Sequence, residues 1–131
     1  MAAFRKRKGG RPFSRQALEL WLGSPRGRHL LEREAVELCR VLPEVFGRHV
    51  LQVGSWGRDG QLLRASETLH SAVIGTVPGM GEQAVADPEC LPVLTRSVDA
   101  VILPHTLEFA RTPQSVLRET NRVLSDRGRL F

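Results

Sequence analysis

The sequence predicts an α/β fold, a mostly parallel sheet flanked by helices with a helical lead-in before it. Short apolar, β-branched runs alternate with segments of helical periodicity, the pattern of strands joined by crossover helices. The first run, His49–Val53, opens directly into the glycine-rich turn Gly54-Ser-Trp-Gly57-Arg-Asp-Gly60. Another, Val98–Leu103, is apolar and continuous enough to be buried on both faces, as strands of parallel sheets are.

The 131 residues are the size of one domain, and 41% hydrophobic with 25% charged residues excludes collagen-like, low-complexity and wholly disordered classes. No window approaches the roughly 18 apolar residues of a membrane span, and the N-terminus lacks the apolar core of a signal peptide. A cytoplasmic protein is expected. Cys39 and Cys90 fit no metal or redox spacing and read as reduced, core-type residues; no metal site is expected.

The net charge of +5 is local. Arg5, Lys6, Arg7, Lys8, Arg11 and Arg15 supply six of the nineteen basic residues, and the first fifteen residues contain no acid. Residues 1–14 read as a disordered basic tail, a weak nucleic-acid contact at most, because a phosphate-gripping domain would carry its charge on a folded face.

Ala17, Leu18, Trp21 and Leu22 form a short helical face that Gly23 breaks. Ser24-Pro25 is a helix start, a side-chain cap followed by a residue with no N–H to satisfy. Leu31, Ala35, Leu38 and Leu42 form the next stripe, and Pro43 ends it. After His49–Val53 and its turn, Gln61–Glu67 is helix-compatible, Ala72–Val77 is a second strand, and Pro78–Gly81 is a turn. Thr112-Pro113 repeats the helix start. Val116, Leu117, Thr120, Val123 and Leu124 form its face, Asp126–Gly128 is a helix exit, and Arg129–Phe131 opens a further strand. The expectation is a fragment, truncated at the start of that strand.

In an open parallel sheet, ligands bind beyond the carboxyl ends of the strands. That draws attention to Gly54–Gly60, Thr76–Met80, Asp87–Pro92 and Pro104–Phe109. Gly54 either lets a ligand approach the backbone or only shapes a turn with Gly57 and Gly60.

Five ordered stretches carry more than this: Val50-Leu-Gln-Val-Gly-Ser-Trp-Gly57, Asp87-Pro-Glu-Cys-Leu-Pro-Val93, Ser97-Val-Asp-Ala-Val101, Leu103-Pro-His-Thr-Leu-Glu-Phe109, and Arg118–Leu124 followed by Arg127-Gly-Arg-Leu130. Together they resemble the class I S-adenosylmethionine-dependent methyltransferases, specifically the type 11 family, from about Val50 to Phe131. The resemblance implies a Rossmann-like domain over 48–131, partial in this chain, behind a helical lead-in over 15–47. It implies S-adenosyl-L-methionine as cofactor. Gly54 would lie against the amino-acid part of that cofactor, with Ser55 and Gly57 in the same loop. Asp87 would accept from the adenine amino group, or else cap a local turn with Pro88. Leu91 would line the adenine pocket. His105 would face the methyl-donor end as a weak catalytic candidate, or else be a helix cap or a packed surface histidine. Glu108 reads as a solvated or capping carboxylate rather than a base.

The sequence departs from that family's pattern. Gln52 stands where an acid is usual, Trp56 and Arg58 stand where glycines are usual, and Trp56 would crowd a ligand unless its ring turns outward. The second strand ends in Gly75-Thr-Val-Pro78 without a carboxylate for the ribose hydroxyls. Thr76 is the available, weaker partner. The expected function is methyl transfer to an unidentified small-molecule or macromolecular acceptor. The alternative is a catalytically inactive binding or scaffolding protein with a degenerate loop. A nicotinamide-dependent dehydrogenase would need Gly-x-Gly-x-x-Gly and a downstream acid, which the chain lacks.

Overall fold

The computed structural model describes residues 13–45, 47–57, 60–64, 66, 70–78 and 82–131. Three helices are described, α1 (Arg15–Leu22), α2 (Pro25–Val41) and α3 (Pro113–Val123), together with five strands, β1 (His49–Val53), β2 (His70–Gly75), β3 (Ala84–Val85), β4 (Val98–Ile102) and β5 (Leu124–Leu130). All four strand pairings are parallel, in the order β3-β2-β1-β4-β5. The chain runs outward from β1 to β3, returns to β4, and so reverses between β1 and β4, where such sheets bind ligands.

Each face of the sheet has its own core. Leu42, Val45, Val50, Leu63, Val73, Ala100 and Ile102 pack on one side, with Leu38 of α2 against them. Leu51, Val53, Ile74, Leu91, Val98, Val101 and Val123 of α3 pack on the other. Val53, Val101, Val116 and Val123 are wholly inaccessible to solvent, as expected of a sheet covered on both sides. Asp99 ties the start of β1 to β5. Its Oδ2 accepts from the backbone N–H of Arg48 (2.8 Å) and His49 (3.1 Å), and Oδ1 accepts from Ser125 Oγ (3.1 Å). Burial pushes this carboxyl up, but those donors outweigh it and hold the pKa below its ordinary value.

Several sequence expectations change. The segment after the glycine turn forms a single 3-10 turn, Gln61–Leu63, rather than a helix over 61–67, of which 65 and 67 lie outside the described residues. The short strand β3 carries almost no pattern and was not foreseen. The second strand spans His70–Gly75, two residues earlier than expected. Strand β5 begins at Leu124, expected on the helix face, and runs seven residues through the expected helix exit Asp126–Gly128, with a register shift against β4. Thr112 makes no side-chain cap bond; Pro113 alone opens α3. Cys39 and Cys90 are exposed free thiols, not core residues. Of the proposed disordered tail 1–14, residues 1–12 lie outside the described residues, whereas Ser14 caps α1 and Phe13 stacks on Phe109 at 5.9 Å between centroids.

The lead-in is a tight helical corner. Ser14 Oγ accepts from Ala17 N–H and Ser24 Oγ from Gly27 N–H, each capping its helix. A Cβ on Gly27 would lie 2.1 Å from the Trp21 carbonyl oxygen and 2.4 Å from Leu22 Cα, so α1 and α2 meet backbone to backbone there. Gly27→Ala is therefore expected to push the two helices apart and lower unfolding stability by about 1–3 kcal/mol, measured by urea denaturation. An unchanged midpoint would show that the corner has slack.

Candidate active site

The turn leaving β1 sets the geometry of the site. Gly54 has φ +113°, a conformation that side-chain-bearing residues rarely adopt, and its N–H donates to Ile74 O of β2 (2.8 Å). A Cβ on Gly54 would lie 2.7 Å from Thr106 Oγ1. The glycine is thus required by the fold itself, because the Thr106 hydroxyl occupies that space and donates to Val53 O at 2.5 Å. Thr106, 5% exposed, joins the end of β1 to the loop after β4, and no sequence signal singled it out.

Gln52 accounts for one departure from the family pattern. Its side chain is buried, and Nε2 donates to the carbonyls of Gly54 (2.6 Å) and Trp56 (3.3 Å). An amide donates to two carbonyls that a carboxylate would face without a proton to share. Trp56 buries its ring among Leu18, Leu22 and Leu31 of the lead-in at 3% exposure and also meets His105, beyond β4, at 6.0 Å between ring centroids. The indole stays close to the turn: a Cβ on Gly54 would lie 3.5 Å from Trp56 Cδ1.

A cleft of about 260 Å³ opens at the carboxyl ends of β2 and β4. Thr76, Asp87 and His105 line it, joined by Glu89, Thr106, Phe109, Arg111 and Arg15 of α1. Thr76 does not face empty space: its Oγ1 accepts from Arg15 Nη1 at 2.7 Å. The Arg15 guanidinium lies 4.6 Å from the Trp56 ring centroid, within cation–π range. Asp87 Oδ1 accepts from Glu89 N–H (2.9 Å), the local turn weighed from sequence, while the residue also borders the cleft.

The other sequence candidates lie elsewhere. Ser55 is buried with its hydroxyl unpartnered, and a Cβ on Gly75 would come within 2.6 Å of it. Gly57 borders a separate groove with Trp56, Gln61 and Arg64. Leu91 sits in the core under α3, not in the cleft. There its N–H donates to Glu119 Oε1 (2.9 Å) and its carbonyl accepts from Arg122 Nη2 (3.1 Å). Glu119 and Arg122, themselves paired at 2.6 Å, clamp the loop that carries Asp87 onto α3. The Arg122 guanidinium holds the Glu119 carboxyl below its ordinary range.

His105 stands between two carboxylates. Nε2 lies 3.2 Å from Glu34 Oε1 of α2, and Nδ1 lies 3.3 Å from Glu108 Oε1. Its backbone is left-handed, φ +47°. It does not cap a helix; the short turn Leu107–Phe109 begins from Thr106. The contact with Glu34 raises the imidazole pKa, burial opposes this, and Glu108 adds to the rise. The carboxylates on either side favour the protonated imidazole. Glu108, half-exposed, meets the solution through the rest of its carboxylate while Oε1 faces His105. Among the described residues no cluster of His, Cys, Asp and Glu is arranged to hold a metal, and no helix is long and apolar enough to cross a membrane.

A family model described as a methyltransferase domain, type 11, matches residues 60–131. This chain belongs to the type 11 methyltransferase family. It is 34% identical over 114 residues to the uncharacterized protein YafS of Escherichia coli, covering 86% of this chain and 46% of YafS. It spans less than half the length of the curated relatives it matches. Among solved structures, a chain of the complex between the Haloferax volcanii Trm112 methyltransferase activator and a methyltransferase superposes with TM-score 0.64. That match has 22% identity and covers 86% of this chain and 57% of the other. The [4+2]-cyclase SpnF superposes with TM-score 0.58 at 20% identity, covering 72% of this chain and 41% of SpnF. The type 11 chain therefore has the Rossmann-like methyltransferase fold expected of it, with the parallel sheet flanked by helices.

Two expected outcomes follow from this geometry. Restoring the family acid with Gln52→Glu buries a carboxyl against two carbonyls. It should destabilise the chain by about 1–3 kcal/mol, more at pH 8 than at pH 5, since only the protonated acid can donate. Equal loss at both pH values would contradict the bonding described. Separately, Glu34→Gln should lower the His105 pKa, read by NMR titration of the imidazole. A raised folded pKa contributes stability that is full below the ordinary histidine value and is lost as pH rises through the folded pKa. The variant should therefore lose more at pH 6 than at pH 9, by about 1 kcal/mol for a half-buried pair.

Proposed function

We propose that the cleft binds S-adenosyl-L-methionine and that the protein transfers its methyl group to an acceptor. The observation that carries this reading is the placement of Thr76, Asp87 and His105 around one cleft beside the β1/β4 reversal, in a chain of this family. The residues suit the ligand. Asp87 supplies a carboxylate acceptor for an exocyclic amine, and Arg15 supplies a cation that lines the cleft. Gly54 and Ser55 would contribute through the backbone of their turn, and Gly57 through the loop's shape. Leu91 would support the adenine region from below. The cleft lies just under the roughly 300–1,000 Å³ of small-molecule sites, because the Arg15 side chain reaches into it.

The sulfonium supplies an already activated methyl group. This chain's work is then to bind and orient, and proton transfer is required only if the acceptor must lose a proton. A second reading, a binding or scaffolding protein without methyl transfer, is favoured by the absence of an acid at the end of β2 and by the Arg15 bond that covers Thr76.

Calorimetry of the intact protein with S-adenosylmethionine and S-adenosylhomocysteine tests the proposal. Saturable one-to-one binding of both is expected. Asp87→Ala should weaken it by about threefold to tenfold, the worth of one hydrogen bond. Absence of binding overturns the proposal. Binding without methyl transfer to any acceptor in a radiolabel screen of cell extract supports the second reading.

A further inference from the structure

We propose that the exposed face of α1, with the basic stretch that leads into it, docks the protein on an anionic lipid surface. The proposal stands apart from the adenosyl-ligand reading. It concerns residues outside 60–131, the part of the chain that the family model matches.

Helix α1 is apolar on two sides. Leu18 and Leu22 point inward and pack with Leu31 and Trp56. Ala17, Leu20 and Trp21, at i, i+3 and i+4, share the opposite face. Among the described residues that face stays open, with Ala17 exposed, Leu20 74% exposed and Trp21 44% exposed. Phe13, just before the Ser14 cap, is also exposed although it stacks on Phe109. Single exposed apolar side chains are ordinary, whereas a leucine and a tryptophan side by side on one helix face make a surface suited to contact. Glu19, the one acid of α1, lies off this face and borders the groove that Leu22, Arg28 and Trp56 line.

The charges that flank this face are basic. Arg5, Lys6, Arg7, Lys8 and Arg11 precede the helix, and no acid occurs before Glu19. Beyond it, Arg26 and Arg28 are exposed at the start of α2. Arg28 Nη1 donates to Gly23 O at 3.3 Å, which lays that cation against the end of α1. The first acid of α2, Glu32, lies 3.9 Å from His29. Residues 16–131 carry 13 basic and 14 acidic groups, so the excess positive charge is confined to the approach to α1.

Tryptophan and leucine suit the boundary between headgroups and acyl chains, and cations beside them are drawn to acidic headgroups. Either signal alone binds weakly, and the two together give reversible attachment. A nucleic acid would satisfy the cations but leave Leu20 and Ala17 without a partner, since only the indole offers a plane for base stacking. An anionic lipid surface takes both the charge and the apolar face. The Leu18 and Leu22 side of the helix keeps its packing on Trp56, so docking requires no refolding of the lead-in.

Co-sedimentation of the intact protein with vesicles tests the proposal, using phosphatidylcholine alone and phosphatidylcholine with roughly one-third phosphatidylglycerol. The anionic vesicles should bind about tenfold or more tightly than the neutral ones, and added salt should weaken that binding. Trp56 is already buried, so a blue shift of tryptophan emission on binding reports Trp21. Leu20→Gln should weaken binding by about threefold or more, and Leu20→Gln with Trp21→Gln by about tenfold or more. Leu20 is exposed enough that Leu20→Gln should keep the parent's urea midpoint, which separates lost docking from lost folding. Arg5→Gln, Lys6→Gln, Arg7→Gln and Lys8→Gln together should abolish the preference for anionic vesicles. Failure to bind anionic vesicles overturns the proposal, as does binding that the Leu20 and Trp21 substitutions leave unchanged. Binding of single-stranded RNA without vesicle binding would assign the basic stretch to a nucleic acid instead. A dimer that those two substitutions dissolve, seen by analytical ultracentrifugation without vesicle binding, would assign the face to a second copy of the chain.

Discussion

Where β1 ends, three strands are tied together through a turn that has no room for a side chain. Gly54 donates to β2, the Thr106 hydroxyl donates from beyond β4 into the Val53 carbonyl, and Gln52 gathers the carbonyls of Gly54 and Trp56 from within β1. These bonds lie out of reach of bulk water, so each lost partner would leave a buried polar group unsatisfied. The turn fixes the direction in which the chain leaves the sheet, and with it the placement of Trp56. That indole then becomes the anchor on which α1 and α2 pack.

The lead-in is thereby part of the site rather than a preface to it. Trp56 gives Leu18, Leu22 and Leu31 a surface to bury against, and the backbone contact at Gly27 sets the corner between the helices. Two polar side chains enter the strand ends as a result, Arg15 against Thr76 and Glu34 against His105. From the opposite side, Glu119 and Arg122 of α3 hold the loop that carries Asp87. The cleft is assembled from elements before, within and after the sheet's first half, which is what a strand-order reversal makes geometrically possible.

Charges of both signs surround the cleft. His105 has a carboxylate beside each ring nitrogen, an environment that favours the imidazolium. Arg15 brings a second cation and Asp87 with Glu89 the opposing anions. On the proposed function, these opposite charges would orient a polar ligand by its two ends. The same fold carries a [4+2]-cyclase in SpnF, so the sheet alone does not choose the reaction.

Read without coordinates, the chain already determined its fold class. The apolar runs of β1 and β4, the glycines beyond β1 and the Ser24-Pro25 helix start are local signals, produced by side chains acting on their own backbone. The stretches around Asp87 and His105 marked the end of the sheet where a ligand would sit. Signals failed where the stabilisation is not local. Strand β3 is two residues long, and β5 runs through the helix-exit residues Asp126–Gly128, because pairing with β4 overrides that preference. Thr106, Gln52 and Arg15 look ordinary in sequence, since a hydroxyl, an amide or a guanidinium acquires meaning only from what faces it. Arg15 and Thr76 are 61 residues apart, and only packing around the Trp56 ring brings them together. Strand periodicity is written residue by residue, but the partners of a buried polar group are decided by the tertiary fold, which alone removes the water that would otherwise satisfy them.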